Sequence, residues 1–432
     1  MQEISQKISV RVSAKYPEMV QYPDEALFVD ENGAIKNSYY IALMAWRENV
    51  MEQKGYLDGN MVSSKEFFSK SMKCLLADSK KENRVYSPLN VYMALGILGE
   101  ITEGSTRAQI LDLLGFDTVE HMRMQAKRVW NANYCNDGMT TSILGSSLWL
   151  SQNVSFKQEL LNILVEYYYS SLYQGVMGSG ELNETFQRWL NEQTGGLLEK
   201  QIGTVELTPK ASLALATTIC FHSKWRDVFR DNMTETDAFY GMEEKIFCEF
   251  MHQSNSRDYY WGDHFAALVQ NFENDCVMKI ILPSDGITPE ELLGDNQVMQ
   301  FILSSKDEWM NCKRVHVSLA IPKFDMTSNI DLIGGLKKLG IRDIFDIEKS
   351  DFLTFLKNRN SVALSQVQHT VRISIDEEGC SAAAYTVIGT IGCSVVPPDE
   401  KVDFIVNRPF LFVITGIGDL PLFAGIVYRP VI

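Results

Sequence analysis

Side chains that could act as nucleophiles, bases or metal ligands are present in this chain, but they are scattered. The 432 residues contain no G-x-S-x-G elbow, no G-x-x-x-x-G-K-[ST] phosphate loop and no H-E-x-x-H helix. The six histidines are His121, His222, His252, His264, His316 and His369. A cysteine–histidine nucleophile pair is compatible with this spacing, but no local motif supports one. The sequence therefore does not predict an enzyme.

The cysteines also fail to form a recognisable binding pattern. They are Cys74, Cys135, Cys220, Cys248, Cys276, Cys312, Cys380 and Cys393. No C-x-x-C pair and no zinc-ligand spacing occurs among them. A chain of this length does not need a disulfide framework to be stable. We therefore expect mostly free thiols, no metal and no cofactor.

Charge and hydropathy exclude two classes of partner. Lysine and arginine number 40 and aspartate and glutamate 55, which gives a net charge of −15. Such a surface repels phosphate backbones, so we expect no nucleic-acid partner. The apolar C-terminal region from Phe404 is interrupted by Arg408, Asp419 and Arg429, and falls short of the roughly 20 apolar residues of a membrane span. The first 15 residues have no apolar core of the signal-peptide type, so we expect an intracellular protein or one whose leader lies outside this chain.

The most informative segment is residues 373–398. A strand ending at Ile375 is followed by charged residues, a glycine, small and apolar residues, and Pro397-Pro398. In an extended strand the side chains would alternate between two faces. One face carries Cys380, Ala382, Ala384, Thr386 and Ile388, and the other carries Ser381, Ala383, Tyr385, Val387 and Gly389. The segment is either an ordinary buried strand or one that can enter the middle of a sheet, with Gly379 as a flexible pivot.

The elements that would position this segment follow from periodicity. Helices are predicted from Ser63 and over Pro88–Gly99, Thr106–Leu114, Gln158–Tyr169 and Asn183–Gln193. Strands are predicted over Ser212–Phe221, Ala266–Phe272, Val277–Leu282, Val315–Ile321, Val371–Ile375, Val402–Val406, Phe410–Thr415 and Leu422–Tyr428. Helices come mainly first and strands mainly later. This order indicates an α+β fold with antiparallel or mixed sheets, not a doubly wound parallel sheet.

Several separate motifs resemble those of the serpin family, in the family's order. They include Asn83–Leu89, Gly104–Thr106, Phe221–Phe229, Ile321–Phe324, Asp376–Gly379, Asn407–Phe412 and Leu422–Gly425. The resemblance covers residues 62–432 and implies one serpin domain with three β-sheets, about nine helices and an exposed reactive loop from about Gly379 to Pro398. Residues 1–61 lie outside it, and we expect them to form an N-terminal extension on the surface.

The resemblance also assigns a hinge at the start of the loop. Glu377, Glu378 and Gly379 match the family's hinge motif, and Ala382, Ala383 and Ala384 match its run of small residues. Cys380, followed by Ser381, replaces the commoner hydroxyl residue.

A second set of residues matches the cluster at which the sheet must open. Ser87 and His369 match the family's polar residues beneath the sheet, and Trp225 matches a tryptophan at its top. Asn90 and Thr217 stand where the family usually has serine and asparagine, an exchange that could preserve a hydrogen bond. For His369 and Trp225, plain core packing remains an equally good interpretation.

The family's usual distance from the hinge glycine places the cleaved bond at Cys393-Ser394. Its flanks are Thr390, Ile391, Gly392, Val395 and Val396, which are small or aliphatic. No lysine or arginine lies between Gly379 and Pro398, so a shallow, elastase-like primary pocket fits best. The stretch that follows is slightly long, which leaves cleavage after Ile391 or Val395 open.

The function implied is that of a serine protease inhibitor acting as a suicide substrate. Its partner would be an elastase-like protease, and the inhibitor would be a monomer, extracellular or at the cell surface. Two alternatives remain: a non-inhibitory serpin that binds or stores a ligand, and an inhibitor of cysteine proteases.

Overall fold

A computed structural model describes residues 9–31, 33–54, 62–77, 81–196, 203, 205–273, 275–305, 308–357, 362–380 and 400–430. Ten α-helices and seventeen strands lie in these residues. The helices are α1 (Asn37–Lys54), α2 (Val62–Leu76), α3 (Pro88–Ile101), α4 (Gly104–Leu114), α5 (Val119–Asn133), α6 (Gln158–Tyr168), α7 (Gly180–Gln193), α8 (Pro289–Gly294), α9 (Asn296–Leu303) and α10 (Ile333–Lys338). None of the helices in the described ranges is both long and apolar enough to cross a bilayer.

The strands follow the predicted order, with most of them in the second half of the chain. They are β1 (Ser9–Val12), β2 (Arg84–Tyr86), β3 (Cys135–Asn136), β4 (Thr141–Ser151), β5 (Ser170–Gly175), β6 (Leu213–Lys224), β7 (Thr234–Tyr240), β8 (Lys245–Trp261), β9 (Phe265–Asn271), β10 (Val277–Pro283), β11 (Cys312–Pro322), β12 (Phe324–Asp331), β13 (Leu364–Ile375), β14 (Gly379–Cys380), β15 (Lys401–Ile405), β16 (Phe410–Thr415) and β17 (Pro421–Val427). The α+β class is confirmed.

Capping residues explain where several helices begin. The Thr118 hydroxyl accepts from the backbone N–H of His121 and starts α5, and Ser179 accepts from Leu182 N–H at the start of α7. A reciprocal capping box between Thr288 and Glu291, with proline in the first turn, starts α8. These local hydrogen bonds satisfy N–H groups that have no partner within the helix.

The described residues form two compact units. The first contains residues up to 67, 90–220 and 329–370, and the second contains 68–89, 221–328 and 371–430. In the first unit, β1 is antiparallel to β5, β5 is parallel to β4, and β6 is parallel to β13. Helix α7 contributes Phe186 and Trp189 to a core with side chains of these strands, such as Trp149.

The second unit contains a nine-stranded sheet. Its order is β15-β11-β8-β9-β10-β16-β17-β2, with β7 paired to β8. Three sheets were expected, but the strands of the described ranges form two. The reason is that β8 pairs with β7 and β11 and also, through Tyr259–Trp261, with β9, so that two layers join into one hydrogen-bonded sheet.

The N-terminal extension contains more structure than its sequence suggests. Strand β1 and helix α1 both lie in it, and Tyr39 and Trp46 of α1 are buried. β1 forms the outermost strand of the sheet to which β5 belongs. Neither element was predicted, because the segment is polar and its pairing partner lies 160 residues away along the chain. The boundary at residue 61 stays a prediction.

Candidate functional site

The described part of the predicted hinge, residues 377–380, forms a tight turn with Asp376 within the second unit. The Asp376 carboxylate accepts from the backbone N–H groups of Glu378 at 3.0 Å and Gly379 at 3.1 Å. The Asp376 N–H donates back to the Gly379 carbonyl at 3.1 Å. Burial raises the pKa of Asp376 above its usual range, and these two donors act in the opposite direction. The turn reverses the chain directly after β13.

After the turn, the two residues of β14 pair with strands on both sides. Gly379 pairs with Lys224 and Cys380 with Ser223 of β6, and Cys380 also pairs with Ile375 of β13. Both pairings are antiparallel, and the Cys380 side chain is 1% exposed. The first residues of the predicted loop therefore form a short central strand between the ends of β6 and β13.

Gly379 is the residue that allows this close approach. A Cβ atom added at this position would overlap the carbonyl oxygen of Ser223 and lie 2.8 Å from the Cα of Lys224. Both neighbours are backbone atoms, which cannot move aside as a flexible side chain would. The glycine of the hinge motif is thus required by contact between two backbones.

Glu377 is held by Thr234 of β7 and by Lys323, which lies between β11 and β12. Its Oε1 accepts from the Thr234 hydroxyl at 2.6 Å, and its Oε2 lies 3.1 Å from the Lys323 ammonium. Burial alone would raise the pKa of Glu377, but these partners lower it below its ordinary value. Lys323 also pairs with Glu249 at 3.2 Å. The carboxylate remains charged near neutral pH and fixes one side of the hinge.

Trp225 forms the wall against which the hinge packs. Its indole N–H donates to the Asp376 carbonyl at 2.9 Å, and its backbone N–H donates to the Glu378 carbonyl at 2.8 Å. The ring stacks on Phe272 at a centroid distance of 4.2 Å. Trp225 therefore packs in the core and also contacts the hinge, so that both interpretations of this residue are compatible.

The predicted polar cluster lies in the first unit, where β6 and β13 pair directly with each other. The Thr217 hydroxyl and His369 Nδ1 are 2.8 Å apart, and the two residues face each other in the strand register. The Asn90 side-chain amide donates to the Thr218 carbonyl at 2.5 Å. Asn90, Thr217 and His369 are all fully buried. These contacts join β6 to β13 and to helix α3.

Comparison with known proteins identifies the family. A family model described as "Serpin (serine protease inhibitor)" matches residues 63–430. The chain belongs to the serpin family. Serpins are generally protease inhibitors and not catalytic enzymes, although the family has non-inhibitory members.

Individual serpins are distant relatives with similar folds. The pig (Sus scrofa) leukocyte elastase inhibitor is 27% identical over 344 residues, covering 77% of this chain and 89% of its own. The crystal structure of a thermophilic serpin, tengpin, in the native state has a TM-score of 0.77 at 24% identity, covering 88% of this chain and 96% of its own. Thyroxine-binding globulin in complex with thyroxine has a TM-score of 0.71 at 21% identity, covering 86% of this chain and 99% of its own. At these identities the structural likeness shows the serpin fold alone.

The structure brings some of the predicted serpin site residues together and leaves others undescribed. Glu377, Glu378, Gly379 and Cys380 lie with Trp225, and Asn90, Thr217 and His369 lie together. Ser87 is buried directly before α3. Ser381, Ala382, Ala383 and Ala384, as well as Thr390, Ile391, Gly392, Cys393, Ser394, Val395 and Val396, lie outside the described residues. Sequence reasoning missed Thr234, and it named Lys323 only within the Ile321–Phe324 motif, because neither residue has a local pattern that points to Glu377.

Burial of His369 predicts an acid-sensitive serpin. Burial lowers the pKa of His369 from 6.5 to about 3, so the folded state holds a neutral imidazole. The folded-state pKa lies below the unfolded one. The contribution of His369 to the free energy of unfolding is therefore complete above pH 6.5 and is lost as the pH falls towards 3. Between pH 7 and pH 5 we expect protonation of His369 to lower the free energy of unfolding by about 2 kcal/mol, at about 1.4 kcal/mol per pH unit below 6.5.

Urea unfolding at the two pH values measures this effect. His369→Asn keeps a polar side chain without a titrating group and should remove that part of the pH dependence. His121→Asn, at an exposed helix position, is the matched control and should leave it unchanged. Equal pH dependence in His369→Asn and the unmodified protein would show that the imidazole does not titrate as its burial implies.

Proposed function

We propose that this serpin inhibits proteases as a suicide substrate, with the segment from about Gly379 to Pro398 as the reactive loop. The observation that carries the proposal is the position of β14. Gly379 and Cys380 both pair with β6, and Cys380 also pairs with β13. Further along, β6 and β13 pair with each other over residues 213–218 and 364–370. A loop cut at its far end can therefore continue β14 as a central strand by replacing that direct pairing.

The chemistry required comes from the target protease. Its serine attacks the carbonyl carbon of Cys393, the bond to Ser394 breaks, and Ser394 leaves with a free amino group. Cys393 then remains as an ester on the protease serine. Hydrolysis of this ester needs an intact oxyanion hole, and loss of a single donor slows such a step by about 10²–10³-fold. Loop insertion pulls the tethered protease along and distorts that site, which stalls the reaction before hydrolysis.

The residues around the proposed bond favour an elastase-like target. Ile391 and Gly392 precede Cys393, and Val395 and Val396 follow Ser394. A small side chain before the cleaved bond fits a shallow primary pocket and lacks the charge that trypsin-like enzymes bind. Similarity to a leukocyte elastase inhibitor supports the same class. We propose a monomeric inhibitor that is extracellular or at the cell surface, because elastase-like proteases usually act there.

Incubation with an elastase-like protease tests the proposal. We expect a band that survives denaturing electrophoresis near the summed mass of the two proteins, because the ester is covalent. Elastase with its catalytic serine chemically blocked is the control and should give no such band. Mass spectrometry of the released C-terminal peptide identifies the cleaved bond and distinguishes Cys393 from Ile391 and Val395.

The same experiment separates the alternatives. Cleavage of the loop without a covalent band, across a panel of serine proteases, would contradict the inhibitory mechanism and favour a non-inhibitory binding module. A covalent band with a cysteine protease in the panel, and none with serine proteases, would assign the inhibitor to that class instead.

A further inference from the structure

The N-terminal extension is attached to the first unit by a continuous series of contacts. β1 pairs with β5 through Ser9–Gln174, Val10–Tyr173 and Val12–Leu172. The Arg11 guanidinium donates to the Gln174 side chain at 3.0 and 3.1 Å, and the Ala14 N–H donates to the Ser171 hydroxyl at 3.0 Å. These contacts fix the direction and the register of the chain immediately before Tyr16.

The ring of Tyr16 lies among aromatic residues of the first unit. Its centroid is 5.6 Å from that of Trp130, to which it is nearly parallel, 6.0 Å from Tyr134 and 6.4 Å from Tyr169. The Tyr134 hydroxyl donates to the carbonyl of the next residue, Pro17, at 2.9 Å. Aromatic contacts of this kind each contribute about 0.5–1.5 kcal/mol beyond area burial. The ring is therefore fixed on α5, and its hydroxyl has one preferred direction.

That hydroxyl points to the end of α7. It donates to the Oε1 of Gln193 at 2.5 Å, and burial raises the pKa of Tyr16 so that the proton stays on the phenol. Gln193 in turn contacts β6: its backbone carbonyl accepts from the Thr218 hydroxyl at 3.4 Å. A Cβ added at Gly145 would lie 3.2 Å from Gln193 Oε1 and 3.4 Å from Thr218 Oγ1. The Gln193 amide oxygen and the Thr218 hydroxyl thus converge on the same point of β4.

Thr218 lies in the part of β6 that would separate from β13 on insertion of the reactive loop. The residue pairs with Thr370 in the strand register, its carbonyl accepts from Asn90, and its neighbour Thr217 contacts His369. A series of contacts therefore runs from Tyr16 through Gln193 to the residues that hold β6 against β13. All of these residues belong to the first unit.

We propose that Tyr16 is a positioning residue that keeps the sheet closed until the reactive loop is cut. It acts through Gln193, whose position over Thr218 it fixes, and this role rests on the proposed function. The family match begins at Ser63, so the contact is made by a part of the chain that the matched serpin domain does not include. The extension thereby stabilises the closed sheet from outside that domain.

Amide hydrogen exchange on the whole chain tests the proposal without any protease. In Tyr16→Phe the ring stays and only the hydroxyl is lost. We expect amides of residues 213–218 and 364–370 to exchange about fivefold faster, the effect of one typical hydrogen bond on a local opening equilibrium. Tyr22→Phe is the matched control, because the Tyr22 hydroxyl lies 3.0 Å from the Tyr39 hydroxyl of the same extension. It should leave the exchange of these amides unchanged.

A double-mutant cycle separates positioning from general loosening. In Thr218→Val, which cannot donate to Gln193, the additional effect of Tyr16→Phe on these amides should fall below twofold. A full fivefold effect in that background, equal acceleration in Tyr22→Phe, or no acceleration in Tyr16→Phe would each overturn the proposal. Absence of a covalent protease complex in the unmodified protein would instead contradict the proposed function, and the exchange result would still show whether Tyr16 holds the strands together.

Discussion

A single cut in the predicted reactive loop, near the Cys393-Ser394 bond, is expected to raise the midpoint of thermal unfolding by at least about 10 °C. The inserted segment would exchange the direct β6–β13 pairing for two new ladders, one on each side. A net gain of roughly a dozen backbone hydrogen bonds, at about 0.5–1.5 kcal/mol each, amounts to about 10 kcal/mol. The unfolding entropy of a chain of this size is roughly 0.9 kcal/mol per degree, at about 2.1 cal/mol/K per residue. A gain of 10 kcal/mol therefore corresponds to about 10 °C, before side-chain burial is added.

Calorimetry on intact and cut protein measures this shift. The cut should be made by a protease that this serpin does not inhibit, and mass spectrometry should confirm that no other bond is cleaved. Intact protein carried through the same incubation with inactivated protease is the control. Equal midpoints would show that the cut loop does not enter the sheet, and the inhibitory mechanism would then lack its driving force.

Local sequence patterns predicted the frame of the fold well. The strand Phe410–Thr415 has the predicted bounds, and α6 and α7 end within one residue of the prediction. Each of these elements has either a clear periodicity or a local start signal. The hinge was also visible in the sequence, because acidic residues, a glycine and small residues follow a strand without interruption.

Contacts between distant parts of the chain could not be predicted in the same way. Thr234 and Lys323 hold Glu377 from positions 143 and 54 residues earlier in the chain, and nothing in their local sequence indicates it. Tyr16 is one of 17 tyrosines, in a polar segment that no periodicity assigns to a strand. Its proposed role depends on the pairing of β1 with β5, and this pairing forms only when strands far apart in the chain come together in the sheet. The sequence therefore indicates the hinge motif better than the long-range contacts made by Thr234, Lys323 and Tyr16.

Replacement of Ala382 by arginine is expected to convert the inhibitor into a substrate. Cys380 pairs within the sheet with its side chain buried, and side chains two residues apart in a strand point to the same face. As the loop continues β14, Ala382 and Ala384 should therefore enter the buried face. An arginine there would bring an unpaired charge into the core at a cost of several kcal/mol. Insertion would remain favourable against a gain of about 10 kcal/mol, but it would slow enough for ester hydrolysis to compete.

Ser381→Arg is the matched control, because it introduces the same side chain one residue earlier, on the opposite face. For each variant, the number of inhibitor molecules consumed per protease molecule inhibited should be measured by titration of elastase activity. We expect this number to rise at least about tenfold for Ala382→Arg, with cleavage at the same bond and release of active protease, and to change little for Ser381→Arg. A difference of tenfold corresponds to about 1.4 kcal/mol in the competition between insertion and hydrolysis, well within the cost of burying the charge. Equal values for the two variants would show that the buried face of the inserted strand is not the one that carries Cys380.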